Sequence, residues 1–220
     1  MVVNLIYLDS AATAKYRSVD DIVVDTIATA MRDSWMNPSA LYAKVVKDRI
    51  DKCRVNIANF ISAKPNEIYF TSGASEANNL AIQGWEKEVG FGNIITTEIE
   101  HKSILNLIEG KALHSWTYYC NVDKNGFVDL HHLNDLLMIC DGEPTLVSIH
   151  MANNEIGTIQ DIERVSAIVH KHNGILHVDA TQAFPHTHID VNELGIDMMS
   201  VSGHKLSPVL KGIGFLYKKD

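Results

Sequence analysis

The chain has 220 residues, 46% of them apolar, which suits one large domain with a sizeable core better than two small ones. A formal charge of −8 at pH 7 argues against a nucleic-acid or anionic-membrane surface, since such partners draw clustered Lys and Arg. Three widely spaced cysteines, Cys53, Cys120 and Cys140, form neither a disulfide framework nor a Cys-x-x-Cys metal site. With no basic-then-apolar leader and no apolar run of membrane length, the chain reads as a cytoplasmic protein that handles small molecules.

In chain order, helical periodicity covers residues 19–32 and 40–61, followed by strand character at 67–70 and a helix over 76–88. A strand at 93–96, a helix at 102–113, a strand at 115–119 and a helix at 130–138 come next. Strands at 145–150 and 175–178 flank a helix at 162–172, and two more strands, 198–201 and 213–217, close the chain. This alternation predicts an α/β domain with a mostly parallel sheet, whose ligands bind where strands run out at their carboxyl ends. No internal repeat or Pro/Gly-rich linker divides the chain. Eleven histidines include His170/His172 and His186/His188, but no His-Glu-x-x-His string exists and no metal site is expected.

Three strand-end strings carry chemistry. Phe70-Thr71-Ser72-Gly73-Ala74-Ser75-Glu76-Ala77-Asn78-Asn79 runs from a strand through a small-residue turn into a helix. Its backbone N–H groups and the Ser75 hydroxyl make a phosphate cradle, or else Ser75 is an ordinary helix N-cap. In His177-Val178-Asp179-Ala180-Thr181-Gln182 a carboxylate ends a buried strand, where it needs a partner. A protonated pyridine nitrogen is one such partner, and a structural cap is the alternative; Gln182 is within reach of a phenolic oxygen on the same ring. In Ser200-Val201-Ser202-Gly203-His204-Lys205 a lysine follows a strand, with Ser202 and His204 able to donate to a phosphate. A lone lysine is usually a solvated surface charge. Together with the cradle and the buried Asp179, Lys205 instead completes what pyridoxal phosphate requires: a phosphate anchor, a carboxylate for the ring nitrogen and a Schiff-base lysine.

These strings, with Tyr7-Leu8-Asp9-Ser10-Ala11-Ala12-Thr13, Asn37-Pro38-Ser39, Glu100-His101-Lys102-Ser103, Asn153-Asn154-Glu155-Ile156-Gly157 and Lys211-Gly212-Ile213-Gly214, span nearly the whole chain. In this the sequence resembles the cysteine desulfurases of the NifS/IscS type, class V aminotransferases of the pyridoxal-phosphate fold type I. The resemblance implies a three-layer α/β/α large domain with a mostly parallel, mixed sheet over residues 16–220, preceded by an arm at 1–15. It implies that Ala74 and Ser75 lie in the phosphate cradle, with Ser75, Ser202 and His204 holding the phosphate. His101 is expected to stack on the ring and aid acid/base steps, with Asn154 near ring and substrate. Asp179 then pairs the ring nitrogen, Gln182 the ring oxygen, and Lys205 forms the Schiff base. The implied reaction converts L-cysteine to L-alanine and passes sulfur to an enzyme persulfide, for iron–sulfur cluster or thio-cofactor assembly. The implied assembly is a homodimer serving a sulfur-acceptor or scaffold protein. The alternatives on the same scaffold are a transaminase, a selenocysteine lyase, or a non-catalytic scaffold protein.

Departures from the resemblance are also visible. Family members continue into a small domain that carries the nucleophilic cysteine and a carboxylate-binding arginine; this chain is expected to lack both and to be inactive alone. The string Leu206-Ser207-Pro208-Val209-Leu210 is one residue longer than usual, and Ala183-Phe184-Pro185-His186 replaces a turn of smaller residues.

Overall fold

The computed structural model describes residues 11–33, 44–110, 113–184 and 186–220. Tyr7 to Ser10, Asn37-Pro38-Ser39, the first residues of the helix expected at 40–61, and Pro185 lie outside the described residues. Six α-helices are found among the described residues: α1 (Val19–Asp33), α2 (Lys44–Phe60), α3 (Ala74–Val89), α4 (Lys102–Glu109), α5 (Leu130–Ile139) and α6 (Ile162–Lys171). The strands are β1 (Ile68–Thr71), β2 (Asn93–Thr96), β3 (Trp116–Tyr119), β4 (Thr145–His150), β5 (Ile175–Asp179), β6 (Met198–Ser202) and β7 (Gly214–Lys218). Each expected element is present, with ends shifted by a few residues. The largest shift is at α4, where Gly110 supplies the C-cap and its N–H bonds Asn106 O. Asp129 and Asp161 start α5 and α6 by accepting backbone N–H groups of the first turn.

The strands form one seven-stranded sheet in the order β1-β7-β6-β5-β4-β2-β3. Strands β3, β2, β4, β5 and β6 run parallel, and β7 inserts antiparallel between β6 and β1. The sheet is therefore mixed. Parallel strands need both faces covered, and they are. On one face Ala77, Ala81, Ile82 and Trp85 of α3, with Ile104 and Leu107 of α4, pack on Ile94, Leu146, Met198 and Leu216. On the other, Leu133, Leu136 and Leu137 of α5 and Val165 and Val169 of α6 pack on Val147, Ile149, Leu176 and Val178. A fully buried side chain such as Ile82 or Leu176 stabilises the fold by about 1.5–3 kcal/mol.

The face under α3 changes character along the strands. Leu146, Met198 and Leu216 on this face are apolar. Among them runs a buried polar ladder: the His177 ring lies 2.8 Å from Ser148 Oγ through Nδ1 and 2.9 Å from Ser200 Oγ through Nε2. Burial pushes the His177 pKa down to about 4, with Asp179 opposing, so the ring stays neutral at pH 7. One step further toward the strand ends come His150 and Asp179, in register on β4 and β5.

Candidate active site

The carboxyl ends of the parallel strands open on a cavity of about 610 Å³, within the range that holds a cofactor and a small substrate. Ala74, Ser75, His101, Asn154, Asp179, Gln182, Ser202, His204 and Lys205 all line it. Ala11 and Ala12, from the chain ahead of α1, also line the cavity.

The small-residue turn stands at one end. Gly73, not Ser75, is the N-cap of α3, which overturns the capping alternative for Ser75. Ser75 lies exposed in the first helical turn, where N–H groups have no intrahelical acceptor. Glu76 is turned back onto Ser72, accepting from its N at 2.6 Å and its Oγ at 2.7 Å. Those two bonds hold its carboxyl below the usual range. Facing the turn, Ser202 Oγ lies 2.7 Å from His204 Nδ1. Burial, then Lys205, Lys211 and His101, lower the His204 pKa, so its ring is neutral without an anion beside it.

The turn can approach β7 only because residue 214 has no side chain. A Cβ there would lie 2.4 Å from Val201 O and 2.7 Å from Gly73 Cα. Gly214→Ala is expected to destabilise the domain by about 1–3 kcal/mol or more and to displace the Gly73 turn, read as a lower urea midpoint with weakened anion binding. An unchanged midpoint would show that the contact yields cheaply.

Asp179 ends β5 and is 5% exposed. Its Oδ1 accepts from Thr181 N at 3.0 Å and its Oδ2 from Asn78 Nδ2 at 2.8 Å. Each carboxylate oxygen keeps a lone pair for a further donor. Asn78 also donates to Ser103 Oγ at 2.9 Å, and that hydroxyl lies 2.8 Å from His101 Nδ1. His101 is the N-cap of α4, with Nδ1 accepting from Ser103 N at 3.1 Å. That leaves the proton of the neutral ring on Nε2. The ring-stacking candidate and the ring-nitrogen candidate are thus tied through Asn78 and Ser103. Sequence reasoning assigned neither of these a role; Asn78 was legible only as an Asn where α3 turns its buried side to the sheet.

Asn153 and Asn154 divide the work of their loop. Buried Asn153 makes the turn, accepting from Glu155 N and Ile156 N and donating to Ile99 O. Asn154 is exposed on the cavity. Lys205 closes a short 3-10 turn (Gly203–Lys205) after β6 and is half-buried. Its Nζ donates to Ala11 O and, at 2.8 Å, to Ala12 O. Gln182 Nε2 donates to Ala11 O at 2.8 Å and Ala14 N to His204 O at 3.1 Å, so the leading segment straps the lysine loop.

None of the three cysteines lines the cavity. Cys120 and Cys140 are buried, and burial pushes the Cys120 thiol up to about 12. Among the described residues no His/Cys/Asp/Glu group could hold a metal ion, and no helix is long and apolar enough to cross a membrane. His170 instead pairs with Asp197 at 2.8 Å, and His172 meets Asn134.

The chain is similar to known proteins along nearly its whole length. The profile of the family described as aminotransferase class-V matches residues 6–220. Over 218 residues the chain is 37% identical to the mitochondrial cysteine desulfurase of Saccharomyces cerevisiae, covering 96% of this chain and 42% of that protein. It is 38% identical to the cysteine desulfurase IscS of Methanosarcina thermophila, covering 96% of this chain and 52% of the relative. Among solved structures, SspA in complex with cysteine superposes with a TM-score of 0.88 at 36% identity, over 98% of this chain and 62% of that one. A NifS-like protein from Rickettsia africae gives 0.84 at 33% identity, over 97% and 58%. The chain spans about half the length of the curated relatives it matches.

Proposed function

This chain belongs to the aminotransferase class-V family, and we propose that the intact protein is a pyridoxal-phosphate-dependent cysteine desulfurase. The observation that carries the reading is the convergence of Lys205, Asp179, Gln182 and His101 on one cavity, with Ser75, Ser202 and His204 grouped at its end. That donor set fits the cofactor. A helix N-terminus with two flanking side-chain donors suits a phosphate, and a buried carboxylate with spare lone pairs suits a protonated ring nitrogen. Thr181 Oγ1 and Asn78 Oδ1 are buried polar atoms beside Asp179 with no partner among the described residues, as expected of a site shaped for a polar ligand.

In this reading Ser75, Ser202, His204 and the first-turn N–H groups of α3, including that of Ala74, fix the phosphate. Asp179, oriented by Asn78 and Thr181 N, holds the ring nitrogen, and Gln182 the ring oxygen. His101 covers the ring, with its Nε2–H available for proton transfer, and Asn154 orients ring and substrate. Lys205 leaves Ala11 O and Ala12 O to hold the cofactor; once substrate displaces it, its amine moves a proton at the substrate α-carbon. The bound cofactor supplies the electron sink for bond breaking at that carbon.

The sulfur leaves cysteine as a formal S⁰ taken up by a thiolate, giving a persulfide and alanine. Cys53, Cys120 and Cys140 stand outside the cavity, so this reading takes the acceptor thiolate from elsewhere in the intact protein, which we place in the cytoplasm as a homodimer. The test is the full-length protein with L-cysteine and a thiol reductant. Alanine and sulfide in equal amounts are expected. Alanine from L-selenocysteine alone, or a keto acid in place of alanine, would overturn the desulfurase assignment.

A further inference from the structure

His150 ends β4 at the floor of the cavity and has no part in the chemistry above. It is 5% exposed, and its Nδ1 lies 3.0 Å from Glu100 Oε1, off the line of a straight hydrogen bond. Thr97 Oγ1 donates to that same oxygen at 2.6 Å. His150 Nε2 and Glu100 Oε2 are buried with no hydrogen-bond partner among the described residues. In a parallel pair, register partners project on the same face of the sheet, and the partner of His150 is Asp179. Since Asp179 reaches Asn78 of α3, His150 stands beside it on that side.

The charges acting on His150 are Glu100, from the β2–α4 connection, and Asp179, from β5. From α3 and α4 come Asn78 and Ser103, which do not titrate, and His177 on the same face is held neutral by burial. Burial opposes a charged His150, but the Glu100 carboxylate and, behind it, Asp179 outweigh burial and hold the pKa above the ordinary imidazole value. A second buried carboxylate this near the ring-nitrogen site would otherwise add its negative charge to that of Asp179.

We propose that His150 is a positioning residue: paired with Glu100, it sets an imidazolium beside the Asp179 carboxylate and so governs how firmly that carboxylate holds a protonated ring nitrogen. The proposal rests on the cofactor reading above. A cation beside the ring-nitrogen site disfavours the protonated ring and lowers the pH at which the cofactor bound to Lys205 titrates.

The experiment is a pH titration of the visible absorption of the full-length protein loaded with pyridoxal phosphate. His150→Met leaves Glu100 with no cation in front of it, and the midpoint is expected to rise by about one unit. Glu100→Gln removes the nearer positive and the farther negative charge together, so the midpoint rises by a smaller step. His150→Gln keeps a donor for Glu100 without the charge, and serves if the methionine variant does not fold; its midpoint must move the same way. A structural role alone would lower cofactor content or the melting temperature without moving the midpoint. A wild-type protein with no borohydride-fixed cofactor overturns the cofactor reading and this inference with it. A fixed cofactor with unmoved midpoints in the variants overturns this inference alone.

Discussion

Lys205→Ala is expected to leave a protein that folds, takes up pyridoxal phosphate loosely if at all, and carries no cofactor after borohydride treatment. The half-buried amine now bonds Ala11 O and Ala12 O at the cavity wall, and among the described residues no other lysine lines the cavity. Loss of proton transfer at the substrate α-carbon alone removes about 10²–10⁴-fold in rate, and loss of covalent attachment adds to that. Lys205→Arg separates charge from chemistry. It retains a cation that can bond the carbonyls of the leading segment, yet is expected to be as inactive as the alanine variant. Mass spectrometry of the borohydride-treated wild type locates the label; a label on any lysine other than Lys205 would sink the assignment.

Asp179→Asn carries the second largest effect. Asp179 now accepts from two donors, Thr181 N and Asn78 Nδ2. An amide offers one oxygen and one NH₂, so one of these donors meets a donor and the other keeps its acceptor. The ring nitrogen loses a charged acceptor, which costs about 1.5–3 kcal/mol in cofactor binding, or roughly 10–150-fold in affinity. Turnover is expected to fall further, by about 10²–10³-fold, because the charge matters most when electrons move into the ring. Asp179→Glu would restore the charge and lose the alignment. Cofactor affinity by fluorescence and turnover at saturating cofactor distinguish the two losses; an Asp179→Asn protein with wild-type values for both would exclude Asp179 as the ring-nitrogen partner.

Strand and helix periodicity, and the polar strings that interrupt it at strand ends, were legible because they are local. A run such as Leu146, Val147 and Ile149 names a buried strand whatever it pairs with, and Asp179 is conspicuous because a carboxylate seldom ends such a run unpartnered. The partners of those residues were not legible. Asn78 reaches Asp179 across 101 positions and Ser103 across 25. His150 shares a floor with Asp179 only because β4 and β5 are parallel in a particular register. Ser75 was open to two readings until Gly73 proved to be the cap.

Sequence alone determined the α/β class and the polar residues at strand ends, since each follows from residue type and short-range spacing. Tertiary structure decided the rest. The antiparallel insertion of β7 brings Gly214 under the Gly73 turn, and the β4–β5 register sets His150 and Glu100 beside Asp179. Both depend on contacts between segments far apart in the chain, whose strength comes from desolvation and from distances that only the folded sheet imposes.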